Sequence, residues 1–154
     1  MSLRADDLVF VVEDSDEDVE AIGRAIGRSH PGTRLEFFRS GAAALSRFAE
    51  GTERPWLALL DLNMPGESGL DVLRGVRADR DLDGVTVVVF TSSENQDEAD
   101  ACFAAGADSY IYKPINFALF QSVLSQTLDY WRSRPAGNDA RMVVPPPGDS
   151  SAQT

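Results

Sequence analysis

The sequence predicts an α/β fold built on a five-stranded parallel sheet with helices on both faces. Two observations carry the prediction. Five short apolar runs alternate along the chain with stretches of helical spacing, and a strand followed each time by a helix builds a sheet covered on both sides. The strands number five, where a Rossmann-like order usually needs a sixth. Right-handed crossovers leave few other topologies. At 154 residues, 43% of them apolar, the chain is one domain with enough core to fold alone.

Residues 8–12, LVFVV, make the first strand, and Ser15 then caps a helix carrying Val19, Ile22 and Ile26. RLEFF, 34–38, is a weaker strand. Ser40 and Gly41 open a second helix with Leu45 and Phe48 inward. WLALL, 56–60, precedes a helix marked by Leu70, Leu73 and Val76, and VTVVVF, 85–90, precedes one carrying Cys102 and Phe103. SYIY, 109–112, is the fifth strand. Phe117, Phe120, Leu124, Leu128 and Trp131 form the longest apolar stripe, that of the fifth helix. Gly51, Gly84 and Gly106 fit helix stops. From Pro135 the chain turns Pro-, Gly- and Ser-rich, so the folded domain spans 1–134 and a disordered tail 135–154. The strand count favours the flavodoxin-like order 2-1-3-4-5.

Charge and cysteine content exclude several roles. A net charge of −11 argues against nucleic acid and anionic membrane surfaces as direct partners, though a local site can still take a small phosphorylated ligand. The single cysteine, Cys102, forms no internal disulfide. There is no apolar run of membrane-spanning length and no signal-peptide core, so the expected location is the cytoplasm.

In such sheets ligands bind beyond the carboxyl ends of the strands. The first strand ends in Glu13 and Asp14, the third in Asp61, the fourth in Thr91 and the fifth in Lys113, followed by Pro114. Any one acid there could simply cap the next helix. Four strand ends carrying matched chemistry cannot be explained that way. Three adjacent carboxylates need counter-charge; Lys113 supplies one unit, and a hard divalent cation, Mg²⁺, suits the rest. Asp14 and Asp61 can ligate directly and Glu13 through water. Zinc is disfavoured, since the only histidine, His30, lies in an "HPG" turn. A carboxylate beside a metal, an amine and a hydroxyl is an acceptor for a phosphoryl group.

In these residues the chain resembles the receiver domain of two-component response regulators over about residues 7 to 133. The resemblance implies that Asp61 is the phosphoacceptor, charged by a partner histidine kinase. It makes Glu13, Asp14 and Asp61 the metal-holding acids, with the Asn63 backbone carbonyl as a further ligand. Thr91 would be the switch hydroxyl, Tyr110 the switch aromatic and Lys113 the phosphate-pairing amine. Pro114 matches a proline whose peptide bond is typically cis, and "MPGESG" the tight loop in which Gly66 and Gly69 sit. Phosphorylation would draw the hydroxyl inward and shift the surface of the fourth helix, fifth strand and fifth helix. The protein would then signal without an output domain and without acting on an external substrate.

The segments "VEDSDEDVEAI" and "KPINFALFQSVLSQTLDYW" are similar to single-domain regulators that partner bacterial phytochrome-type kinases. On the fifth helix, Leu119, Val123 and Tyr130 form a second apolar stripe, which implies a homodimer through the fourth helix, fifth strand and fifth helix. Of the rival readings, a Mg²⁺-dependent phosphatase or phosphotransferase with an aspartyl-phosphate would commonly place another acid just after the nucleophile, where this chain has Leu62 and Asn63. Nucleotide-binding glycine motifs are absent.

Overall fold

The computed structural model describes residues 4–64, 66, 68–133 and 142–144. The strands are β1 (Arg4–Val12), β2 (Arg34–Phe38), β3 (Arg54–Leu60), β4 (Thr86–Thr91), β5 (Ser109–Tyr112) and β6 (Met142–Val144). The helices are α1 (Asp16–Ser29), α2 (Gly41–Ala49), α3 (Gly69–Ala78), α4 (Gln96–Ala104) and α5 (Phe117–Arg132). The sheet is parallel throughout and runs 2-1-3-4-5-6.

The period of two along the strands sorts the core into two layers. Phe10, Val12, Ala58, Leu60, Val87 and Val89 face α2, α3 and α4. Val9, Val11, Leu57, Leu59, Val88 and Phe90 face α1 and α5. Central strands buried on both faces read as continuous apolar runs, which is why they were plain in the sequence. Ser15 accepts a hydrogen bond from the Asp18 N–H and Ser40 from Ala43, so both expected caps form. Gly51 and Gly106 follow their helices at φ 69° and 105°. Gly84 differs: α3 ends at Ala78, and the glycine follows a 3₁₀ turn at Arg80–Leu82 instead.

Three expectations are corrected. The tail was expected to be disordered from Pro135, yet Met142–Val144 pair in parallel with β5, Tyr110 opposite Val143. The β5 edge offers unpaired backbone groups, and two valines there favour a strand. The rest of the tail lies outside the described residues, as does Pro65 of the "MPGESG" loop. Second, no peptide bond among the described residues is cis, so Lys113–Pro114 is trans. The isomers of such a bond differ by only about 0.5–1 kcal/mol, so the proline alone does not fix the choice. Third, Val123 and Tyr130 are not free on the second stripe of α5. Both are half-buried and packed against the α1/α5 core layer. A helix lying along a sheet buries a stripe wider than its strictest apolar line. Exposed apolar surface there belongs to Leu119, 47% exposed, and Ile115, 97% exposed.

Candidate functional site

Backbone bonds that continue the ladder past the strand ends place the site. The Glu13 N–H donates to the Phe38 carbonyl at 2.9 Å, the Asp61 N–H to Val12 at 3.0 Å, and the Lys113 N–H to Thr91 at 2.8 Å. Each chemical group is thus held one residue beyond an apolar strand, at the carboxyl edge of the sheet. Glu13, Asp61, Thr91 and Lys113 are all buried, and Asp14 is half-buried. One carboxylate oxygen from each of Glu13, Asp14 and Asp61 lies within 4.8 Å of the others.

Lys113 reaches into this group. Its Nζ stands 2.6 Å from Glu13 Oε1, 2.8 Å from Asp18 Oδ2 and 3.7 Å from Asp61 Oδ1. The first two contacts are hydrogen bonds; the third is an ion pair without one. The other Glu13 oxygen accepts the Ser15 N–H at 3.2 Å, and Asp61 Oδ1 accepts the Asn63 N–H at 3.4 Å. Asn63 itself is exposed.

Burial pushes the Glu13 carboxyl up to about 7; the Lys113 ammonium opposes this and the Asp61 charge adds to it. Burial alone would lower Lys113, but its hydrogen bonds to Asp18 and Glu13 and the charge of Asp61 outweigh that and raise it. Lysine therefore stays cationic while one acid is poised near neutrality. Three carboxylates contact one ammonium and Asp14 lies beside two of them, so positive charge is wanting. The donors are all hard oxygens, the set that suits Mg²⁺ or a similar cation and not a soft metal.

Thr91 and Tyr110, expected as the switch pair, meet at one residue. Thr91 Oγ1 accepts the Ser93 N–H at 3.1 Å, and the buried Tyr110 donates its hydroxyl to the Ser93 carbonyl at 3.3 Å. The Ser93 hydroxyl in turn bonds Glu98 on α4. Burial raises the Tyr110 phenol, so it remains a donor. On the other side of Asp61, Gly66 adopts φ 76°. A Cβ on Gly69 would stand 2.2 Å from the Asp61 carbonyl oxygen, so only glycine admits this approach of α3 to β3.

The sequence brought Glu13, Asp14, Asp61, Thr91 and Lys113 to one edge, and the fold places them there. It missed Asp18 and Ser93. Asp18 stands in an acidic run at the start of a helix, where acids ordinarily answer the helix dipole, so its residue type alone gave no signal. Ser93 works largely through its backbone, which leaves no trace in residue type. His30 caps α1 far from the site, with Nε2 2.8 Å from Asp129.

The sequence profile of the response regulator receiver domain matches residues 9–125. The chain is 33% identical over 135 residues to the probable methanogenesis regulatory protein FilR2 of Methanothrix harundinacea, covering 84% of this chain and 87% of that one. It is 30% identical to response regulator Rcp1 of Synechocystis over 80% of this chain and 88% of that one. The Mn²⁺-bound form of Rcp1 matches with a TM-score of 0.76, over 84% of this chain and 96% of that one. The phosphorylated cyanobacterial phytochrome response regulator RcpA matches with a TM-score of 0.79 at 27% identity, over 87% of this chain and all of that one. Among the described residues, no helix is long and apolar enough to cross a membrane.

Proposed function

Because the chain belongs to the response regulator receiver domain family, we propose that Asp61 accepts a phosphoryl group from the phosphohistidine of a partner kinase in a Mg²⁺-dependent step. The observation that carries this is the placement of Asp61: buried at the end of β3, beside two further carboxylates and 3.7 Å from an ammonium. In the transfer an Asp61 oxygen attacks phosphorus, the new O–P bond forms as the N–P bond breaks, and the imidazole leaves with the electron pair. Asp14, Asp61, the Asn63 carbonyl and, through water, Glu13 would hold Mg²⁺, which when bound neutralises charge on the phosphoryl oxygens. Lys113 pairs with one of those oxygens and the Thr91 hydroxyl donates to another.

Ser93 supports the switch reading. A Thr91 hydroxyl that swings toward a phosphoryl oxygen moves relative to the Ser93 N–H it now accepts, and the Ser93 carbonyl holds Tyr110. The α4–β5–α5 surface is thereby coupled to the site. Likeness to the phytochrome response regulator RcpA supports a phytochrome-type kinase as partner, and membership of the family supports a cytoplasmic location. Exposed Ile115 and Leu119 support a homodimer on the α4–β5–α5 face. Reaction with an external substrate is disfavoured, since the residue after Asp61 is the buried Leu62.

Incubation with Mg²⁺ and acetyl phosphate, followed by intact mass measurement, tests the reading. One phosphoryl group should add, and none under EDTA or in Asp61→Asn. Undiminished labelling of Asp61→Asn would defeat it.

A further inference from the structure

We infer that Asp18 is a positioning residue for this transfer: it holds the Lys113 ammonium at α1 until a phosphoryl group on Asp61 draws it away, and the first turn of α1 is then released. The inference rests on the reading of Asp61 as phosphoacceptor. Three acids occupy that turn, Asp16, Glu17 and Asp18. Such acids ordinarily answer the helix dipole alone. Asp16 pairs with Arg39 on the surface. Asp18 is the one that reaches the site, 2.8 Å from an ammonium 95 residues away in sequence.

The distances define the competition. In this structure Lys113 is bonded to Glu13 and Asp18 and stands about half an ångström too far from Asp61 Oδ1 for a hydrogen bond. A phosphoryl group brings close to two negative charges and three strong acceptor oxygens. Glu13 and Asp18 take two of the three Nζ donors, so the third can turn to one of those oxygens, and the pull of that charge toward Asp61 weakens the two existing contacts. Glu13 is buried, so leaving its carboxylate unpaired is expensive. The Asp18 side chain is 34% exposed, and water can replace the lysine there. The Asp18 contact is therefore the one that yields. Its loss frees α1 at its start, where the Ser15 hydroxyl already holds the Asp18 N–H at only 3.3 Å. Phosphorylation would then mark a second surface, the start of α1, besides the α4–β5–α5 face.

Asp18→Asn removes the charge with little change of size, Asp18→Glu restores it, and Asp16→Asn removes a charge from the same turn without touching Lys113. Two readouts apply: hydrogen exchange of the amides of residues 16–20, with and without acetyl phosphate and Mg²⁺, and the rate of phosphoryl uptake by intact mass. In the wild type, exchange should rise on phosphorylation by about two- to fivefold, the factor corresponding to an exposed ion pair. Asp18→Asn should show the faster exchange without phosphate, no further rise with it, and faster uptake than Asp16→Asn. Asp18→Glu should behave as the wild type. Exchange in Asp18→Asn equal to wild type in both states overturns the inference, and so does uptake no faster than in Asp16→Asn. If the wild type gains no phosphoryl mass, the Asp61 reading itself fails; normal uptake with an unaltered exchange pattern removes only the role of Asp18.

Discussion

Gly69 packs against Asp61 so closely that a single added carbon would stand 2.2 Å from the Asp61 carbonyl oxygen. The neighbour is backbone, which cannot swing aside. Gly69→Ala should therefore displace the start of α3 from the end of β3 and cost about 1–3 kcal/mol, as overpacking does. Urea unfolding reads the loss, and phosphoryl uptake should fall with it because Asp61 is the residue displaced. Wild-type values for both would show that the loop absorbs the methyl group.

Lys113→Ala removes a cation from a group of acids. Mg²⁺ binding should be as tight as in the wild type or tighter, while phosphoryl uptake or its conformational consequence fails. Titration with Mg²⁺ alongside uptake by mass separates the two effects. A variant that takes up phosphate and responds as the wild type does would reduce Lys113 to a structural amine.

Glu13 gives the apoprotein a pH dependence opposite to the usual one for a carboxylate. Its pKa is raised by burial from 4.5 to about 7, so between those values the folded state binds more protons than the unfolded state. Stability is then present in full below the lower value and is lost as pH rises through the upper one. In EDTA, the apoprotein should lose roughly 2–3 kcal/mol from Glu13 between pH 5 and pH 7.5. Mg²⁺ should bind more tightly over the same rise, as the ligand deprotonates. Urea unfolding at the two pH values checks the first statement, and Glu13→Gln should abolish that part of the slope.

Dimerisation, if it uses the α5 side, rests on Ile115 and Leu119. Leu119→Glu should give folded monomers that still take up phosphate, and the wild-type dimer should persist in salt, because a net charge of −11 opposes association. Val123→Glu should behave differently and destabilise the domain, since Val123 packs on its own core. Sedimentation at micromolar concentration decides; a wild type that stays monomeric with and without phosphate ends the dimer reading.

How far the sequence could be read depended on the kind of interaction. The central strands were legible because both faces are buried, as in Leu57–Leu60, so apolarity is continuous. Glu13, Asp61 and Lys113 were legible because each follows such a run by one residue. Beyond this, the signal weakens. Met142–Val144 form a strand by pairing with an edge, a tertiary effect that three residues in a Pro-rich tail do not announce. Val123 and Tyr130 follow helical spacing whether they face a partner or their own core. Asp18 acts across 95 residues of sequence, and the same acid at a helix start would be expected with no lysine in reach.

The central claim is that the phosphoryl group sits on Asp61 and nowhere else. Borohydride reduces an acyl phosphate to an alcohol, so the phosphorylated protein, reduced, digested and mapped by mass, carries a homoserine at the modified aspartate. The account predicts homoserine at position 61, dependent on Mg²⁺ and absent in Lys113→Ala if that variant fails to take up phosphate. Homoserine at position 14, or phosphoryl uptake that leaves no reduced aspartate, would contradict it.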